Sequence, residues 1–315
     1  MTSPFSDDNA LLLFNNPKYH QLNLTGDQSL FRYDHWVEDR WVGSLIGVKT
    51  EGIIDCGYKA PYGGPDIVRA GESTTEIIQF LRDAVASARQ TGAKTLRIRA
   101  RPAYHSANEA SVLFALFNLG FSVESCEFSQ GIDVTRYSSA EHYIRELKDS
   151  QRNQIRRGLS QTEFSEAETE EDWGIAYELL SLNRSFRALT LKFSLAYLLQ
   201  LRAVFPQRLS MYLLRAEDRP IAAALVYRVR PKIDHIVSWG DDKTRRENAP
   251  VGTIAVHLLE RAIREKVEIL DIGISSVDGI PDDGLIAFKR HTLATSDLRL
   301  TFVRALGLGK PPHLT

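Results

Sequence analysis

Residues Asp271 to Lys289 read DIGISSVDGIPDDGLIAFK, and the fold turns on how this stretch is read. The apolar run Val267 to Ile272 has the length and composition of a short buried strand. It gives way to Gly273, the pair Ser275 and Ser276, then Asp278, Gly279 and a Pro-Asp-Asp-Gly turn, and ends on Phe288 and Lys289. The order is strand, polar loop, helix. Loops that leave the carboxyl ends of sheet strands are where α/β proteins hold ligands. Glycine and proline breakers bend the backbone here and thin its side-chain cover. The stretch therefore reads as a site wall with a carboxylate, Asp278, and an ammonium, Lys289. The plainer alternative is an ordinary connection with solvated charges.

Composition frames this reading. At 315 residues the chain suits one large or two medium domains with a substantial core. Hydrophobic residues at 43% and charged residues at 25% are the balance of a soluble globular protein. A formal net charge of -1 leaves no global field for nucleic acid or anionic membrane, only local patches. Cys56 and Cys126 stand far apart, form no CxxC, and read as reduced thiols in a cytoplasmic protein. The opening MTSPFSDDNA carries no basic-then-apolar leader. No run nears the roughly 18 apolar residues of a membrane span. The histidines show no HxxxH or HExxH spacing, so no metal site is expected.

Periodicity lays out the rest of the chain. Phe31–Val37 and Trp41–Val48 flank Glu38-Asp39-Arg40 as a hairpin. A strand from Ile53 to Tyr58 leads into Ala60-Pro61-Tyr62-Gly63-Gly64-Pro65, a tight, exposed turn whose N–H groups could cradle a ligand. Ser73 and Glu76 form a capping box for a helix carrying Ile77, Leu81, Val85 and Ala88 inward. Thr95–Arg99 is a strand, Ser106–Leu119 a helix stopped by Gly120, and Phe121–Phe128 and Gly131–Val134 are two strands. A single basic helix spans Ala140 to about Leu159, with Lys148, Arg152 and Arg156 on one face. It reads as an anion-binding stripe or as a solvated linker. Strands at Phe164–Ala167, Leu209–Arg215, Ile221–Val229 and Ile233–Trp239 follow, with helices from Thr169, from Ser194 and from Pro250. Asp297–Val303 is the last strand, and Gly307–Thr315 a loose tail.

The usual nucleotide loops GxGxxG and GxxxxGK are absent, as is the GxSxG nucleophile elbow. The segment 248–263, NAPVGTIAVHLLERAI, is a turn into a helix whose N-terminus suits an anion. Asn248 and Gly252 are its candidate contacts, while Pro250 has no N–H to offer. Arg245 and Arg246 could substitute as cations. Trp239 ends a strand near the same end of the sheet and packs either a core or a substrate. Lys289 is placed to steady an oxyanion or hold a phosphate. Asp278 is placed to take the proton that an amine nucleophile must lose, or simply to cap a turn.

Asp-x-Gly at a strand end, a polar loop, then Gly-Leu-x-x-Phe-Lys at Gly284–Lys289 resemble the end of the second half of the Fem-type transferases, which belong with the acyl-transferring GNAT proteins. The aromatic-Gly-Gly turn at Tyr62–Gly64, the basic segment and the Pro250 turn agree with that pattern, and the resemblance covers roughly Leu11 to Val303. It implies an α/β protein with mixed sheets in two tandem GNAT-like halves, 1–138 and 161–315, joined by the basic helix 139–160. The implied activity is transfer of an acyl or aminoacyl group to an amine, with no metal and no tightly bound cofactor. Acyl-CoA or aminoacyl-tRNA would be the donor substrate, and a small-molecule or cell-envelope amine the acceptor. In that picture Lys289 and Asp278 are catalytic. Tyr62, Gly63, Gly64, Trp239, Ser275 and Ser276 hold substrate, and Arg152, Arg156, Asn248 and Gly252 hold the donor. The Tyr62–Gly64 turn and the Asp271–Lys289 loop would face one groove between the halves. The chain lacks the long helical-hairpin insertion of some Fem enzymes, which weakens the link to tRNA. An aminoacyl-tRNA-dependent peptidoglycan or peptide transferase is the second reading. A non-catalytic binding module on the same fold, permitted by the eroded glycine loop, is the third.

Overall fold

The computed structural model describes residues 11–186, 188–243 and 249–307. Arg245, Arg246, Asn248 and the expected tail beyond Gly307 lie outside the described residues. The chain divides into two compact units, each assembled from separate pieces of sequence. The first unit holds the residues up to Ser129, Ile274–Pro281 and the residues from Ser296 on; the second holds Gln130–Gly273 and Asp282–Thr295.

The chain enters the first unit as α1 (Pro17–Asn23), β1 (Ser29–Val37), β2 (Arg40–Thr50), β3 (Ile53–Cys56), β4 (Asp66–Ile67), α2 (Thr74–Gln90), β5 (Thr95–Arg99) and α3 (Glu109–Asn118). It leaves along β6 (Ser122–Asp133). The second unit follows with α4 (Ala140–Glu146), α5 (Asp149–Gln161), β7 (Glu163–Glu166), α6 (Glu170–Ser185), α7 (Leu195–Val204), β8 (Leu209–Ala216), β9 (Arg219–Arg230), β10 (Ile233–Asp241), α8 (Pro250–Arg264) and β11 (Ile269–Ile274). A short hairpin of β12 (Ser276–Val277) and β13 (Ile280–Pro281), then α9 (Asp283–His291) and β14 (Thr295–Ala305), complete the described chain.

In the first unit the strand order is β1-β2-β3-β5-β14-β6, with β4 on the side of β2. β1, β2 and β3 are antiparallel, and β3 and β5 are parallel, joined by the crossover through α2. β14 then pairs antiparallel with β5, Thr301 opposite Arg99. Phe80, Leu81 and Ala84 of α2 and Leu116 of α3 close over Leu45, Ile54, Leu96, Ile98 and Phe302. Burying each of the larger side chains contributes about 1.5–3 kcal/mol. Ser73 caps α2, its Oγ accepting from the Glu76 N–H at 3.2 Å. The expected reciprocal half of the capping box is absent, because the Glu76 carboxylate meets His35 Nε2 at 2.7 Å. The Ser73 N–H donates instead to Glu72 Oε1 at 3.1 Å.

The second unit repeats the plan. Its order is β6-β11-β10-β9-β8-β7, with β7 through β10 antiparallel and β10 parallel to β11 through the α8 crossover. Ala222, Ala224 and Val226 of β9 meet Ile254 and Leu258 of α8. The alternate residues Ala223 and Leu225 point to the opposite face of the sheet, and α6 packs against β9 and β10. α4 and α5 bury Tyr143, Ile144 and Ile155 against Val256 and Leu259 of α8.

Three expectations are corrected. The strands expected at 121–128 and 131–134 are the single strand β6, which runs on past the boundary between the units. The basic segment is not one helix: Leu147 and Lys148 are extended, at φ/ψ of -68/154 and -59/145, and separate α4 from α5. Burial of Leu147 accounts for the break, and Lys148 therefore lies off the helical face that carries Arg152 and Arg156. The linking segment 139–160 is also no linker, since its helices belong to the core of the second unit.

Candidate active site

In the second unit the parallel ladder between β10 and β11 runs from Ile233↔Ile269 to His235↔Asp271 and stops there. β10 continues to Asp241 along β9, with a register shift between Ile236 and Ser238 that leaves Val237 as the extra residue. A bulge of this kind re-aims backbone groups and is common beside active sites. Two parallel strands that cease to pair leave a fork in the sheet. Ser238 stands on the β10 side of the fork, its Oγ buried and without a hydrogen-bond partner among the described residues.

His235 and Asp271 form the base of the fork. His235 Nδ1 lies 3.1 Å from Asp271 Oδ2, with both side chains buried. The other carboxylate oxygen, Oδ1, accepts the Gly273 N–H at 2.8 Å. Gly273 has φ +74°, a left-handed conformation that only glycine adopts cheaply, and it turns the peptide at the end of β11. The Gly273 carbonyl accepts from Lys289 Nζ at 2.9 Å. Lys289 reaches it from the last turn of α9, a helix capped by Asp282, whose Oδ1 accepts from the Leu285 N–H at 2.8 Å. Ile286 and Lys289 are the inward residues of that helix, and Lys289 is only 2% exposed. A buried ammonium is costly unless its protons are bonded, so this position is built around the charge. Phe288 beside it packs edge-on against Trp239 of β10, ring centroids 5.9 Å apart.

Ala249, in the left-handed region at φ +42°, precedes α8, with Pro250 as the first helical residue. Among the described residues no side chain caps α8 there, and the first N–H groups of the helix belong to Val251 and Gly252. Gly252 also has a packing reason: a Cβ would come 3.3 Å from Ile155 of α5.

The remaining expected site residues separate into several places. Ser275 and Ser276 belong to the first unit and are tied to β6. The Ser275 N–H donates to the Phe128 carbonyl at 2.7 Å, and Ser276 Oγ accepts from the Phe128 N–H at 2.7 Å. Asp278, also in the first unit, is exposed at φ +52° beside Gly279 at φ +75°, the tight turn of the β12–β13 hairpin. The Tyr62–Gly64 turn is buried, not exposed as its composition suggested. The Tyr62 ring packs edge-on against Phe14 and His105, and the Gly63 N–H already donates to the Arg99 carbonyl at 3.0 Å. A Cβ on Gly63 would lie 2.6 Å from the Gly57 nitrogen, so close approach of two backbones demands this glycine. Arg152 is paired with Asp149, and Arg156 with Glu141. Lys289, Trp239, Gly252, Arg152 and Arg156 thus share the second unit, while Asp278, Ser275, Ser276, Tyr62, Gly63 and Gly64 share the first.

His235 was not among the expected residues, and Asp271 was read only as part of a strand. The available signal was an Asp-His pair inside the strand at 233–239, which is apolar apart from that pair and Ser238. Asp234, its side chain fully buried, serves a separate purpose. It pairs with Arg228 and Arg261, and both guanidiniums also reach Glu265. These residues line a polar cavity of about 110 Å³ with Tyr212, whose phenol is held above its ordinary value by burial. Among the described residues no group of three or more His, Cys, Asp or Glu side chains could hold a metal ion. No described helix is long and apolar enough to cross a membrane.

Residues 145–290 match the family of acetyltransferase (GNAT) domains, a span that contains the fork and ends just past Lys289. No curated protein matches the sequence. Among solved structures, FemX superposes with a TM-score of 0.71 at 13% identity, covering 93% of this chain and 92% of that one. The C-terminal domain of a putative lysylphosphatidylglycerol synthetase from Agrobacterium fabrum gives 0.53 at 14% identity, over 86% and 84%. A tandem GNAT protein from the clavulanic acid biosynthesis pathway gives 0.50 at 13%, over 94% and 90%. Residues 145–290 thus match the GNAT acetyltransferase domain family, and the chain as a whole has the fold of FemX and of the tandem GNAT protein.

Proposed function

We propose that the protein is an N-acyltransferase that moves an acyl or aminoacyl group to an amine, with the fork of the second unit as the donor site. The observation that carries this is the buried Lys289 ammonium, held at the fork by the Gly273 carbonyl. An amine attacking an ester or thioester carbonyl builds negative charge on the carbonyl oxygen. A preorganised ammonium in a desolvated site stabilises that charge more than water does. The N-terminus of α8, with no side-chain cap among the described residues, supplies N–H groups and a favourable dipole for a phosphate of the donor. The tetrahedral intermediate then collapses and releases the donor's thiol or hydroxyl, and the amine's proton leaves to solvent. Positioning and electrostatics suffice for this chemistry.

Donor choice is open to a direct test. Acyl-CoA fits the GNAT match, and aminoacyl-tRNA is what the Fem-type resemblance of the sequence implies. Thermal-shift titration with acetyl-CoA, CoA, charged tRNA and uncharged tRNA reads which ligand raises the unfolding midpoint, since binding to the native state alone stabilises it. The ligand that shifts the wild type should shift Lys289→Met less. If none of the four shifts the midpoint, transferase function is refuted and a non-catalytic binding module remains.

A further inference from the structure

The polar cavity of about 110 Å³ beside Asp234 has walls of a kind found nowhere in the fork. Among the described residues that line it, Val226 alone is apolar. Arg208, Arg261 and Asp234 are buried in its inner end, and Arg228 is half-buried. Asp234 accepts from Arg228 and from Arg261. Glu265 Oε2 accepts from Arg228 Nη2 at 2.5 Å and from Arg261 Nη1 at 3.4 Å. Arg208 Nε donates to the Arg228 carbonyl at 3.0 Å and its Nη2 to the Val229 carbonyl at 2.8 Å. These two bonds fix the guanidinium without cancelling its charge. Three guanidiniums thus stand against two carboxylates at this end of the lining, and a buried charge is costly until a counter-charge meets it. Arg261 Nε is also buried and without a hydrogen-bond partner among the described residues. One anionic oxygen in the cavity would suit both.

Glu166, an exposed residue of the lining, marks the mouth, and its carboxylate has no cationic partner among the described residues. We infer that the cavity binds a small zwitterion of the amino-acid class, its carboxylate against Arg208 and Arg261 and its ammonium against Glu166. A phosphate dianion suits the walls less, because Asp234, Glu265 and Glu166 would all face it. A simple monoanion leaves Glu166 unmatched. One water needs about 10–15 Å³ of such volume, so the cavity has room for a ligand of a few non-hydrogen atoms. The site is separate from the fork. Asp234 and its neighbour His235 point to opposite faces of the sheet, and Arg261 lies roughly 13 Å along α8 from Gly252 at the helix rise of 1.5 Å per residue.

Calorimetric titration of the full chain with glycine, acetate and glycinamide tests the site. Glycine carries both charges, acetate only the carboxylate and glycinamide only the ammonium. Glycine should bind most tightly, acetate more weakly, and glycinamide not at all. Glu166→Gln should weaken glycine about two- to fivefold, the effect of one exposed ion pair, and leave acetate unchanged. Ser210→Leu, which puts an apolar side chain into the lining, should abolish binding of both while far-UV circular dichroism stays native-like. If Ser210→Leu does not fold, the exposed substitution Glu166→Gln carries the test. No heat with glycine shows that the cavity holds water only and overturns the inference. So does glycine binding that is unchanged in the folded variants, or glycinamide binding as tightly as glycine. Each of these outcomes leaves the transferase reading intact, because the donor screen reads the fork and its Lys289→Met variant.

Discussion

His20 gives the first unit a pH dependence that can be worked through from the structure. The residue lies on α1 and is fully buried. Burial pushes its imidazole down to about 4, with a contact to the Phe14 backbone acting in the opposite direction. In the unfolded chain it titrates near 6.5. Between those values the unfolded chain binds a proton that the folded chain refuses, so stability rises with pH across the window. Above 6.5 there is no penalty; as pH falls toward 4 the penalty grows. At about 1.36 kcal/mol per pH unit the limiting loss is about 3 kcal/mol. Between pH 7 and pH 5 it amounts to about 2 kcal/mol. Urea unfolding of the wild type, of His20→Leu and of His20→Gln at both pH values isolates this contribution, because the other titrating groups cancel in the comparison. The wild type should lose about 2 kcal/mol more than either variant over that range. Equal losses in all three proteins, or a His20 Cε1 proton that titrates near 6.5 in the folded state, would refute the reasoning.

Other outcomes can be stated briefly. Lys289→Ala should lower turnover on the order of a hundredfold with the fold intact, once the donor screen names a substrate; Lys289→Arg should restore more if only a phosphate charge matters than if a compact ammonium is needed. Gly63→Ala should destabilise by about 1–3 kcal/mol in urea unfolding, because the new Cβ meets backbone atoms of Cys56 and Gly57 that have nowhere to go. Asp66→Ala should cost about 3–5 kcal/mol, since it strips a carboxylate from the buried Arg101 and an acceptor from the Leu12 N–H; a loss under about 1 kcal/mol would show that Glu109 alone satisfies Arg101. Arg152→Ala with Arg156→Ala should change stability little, as both are surface pairs. The same double substitution should weaken the donor that the screen identifies, with a shallower salt dependence.

The order of elements was legible because each repeats a strong local signal. Alternation in 31–48 makes a hairpin, Ser73 and Thr169 cap helices, and Pro250 opens one. The helix that carries Lys289 was legible from its motif. What could not be read is whatever depends on a partner distant in sequence. Leu147 breaks the basic segment because the second unit's core takes it in, and nothing beside Leu147 in sequence announces that. The Gly-Gly pair at 63–64 looks like an exposed turn in any local reading; only the approach of β3 and β5 turns it into a packing requirement. His235 and Asp271 meet only through the parallel register of strands separated by a helix. Asp271 alone carries no signal, and His235 only that of a polar pair in a mainly apolar strand.

The assembly of the first unit has a consequence for synthesis of the chain. Its strand β5 waits for β14, which is translated only after the whole of the second unit's main segment. On the ribosome, the first unit must therefore stand with an unpaired strand edge while the second is made. Exposed edges of that kind invite pairing with other chains. A gene cut after residue 138 would make the exposure permanent, and the product should aggregate. A circular permutant that begins with β14 and continues into β1 would shorten the delay, and a higher yield of soluble protein from it would be the sign that nascent-chain timing limits folding.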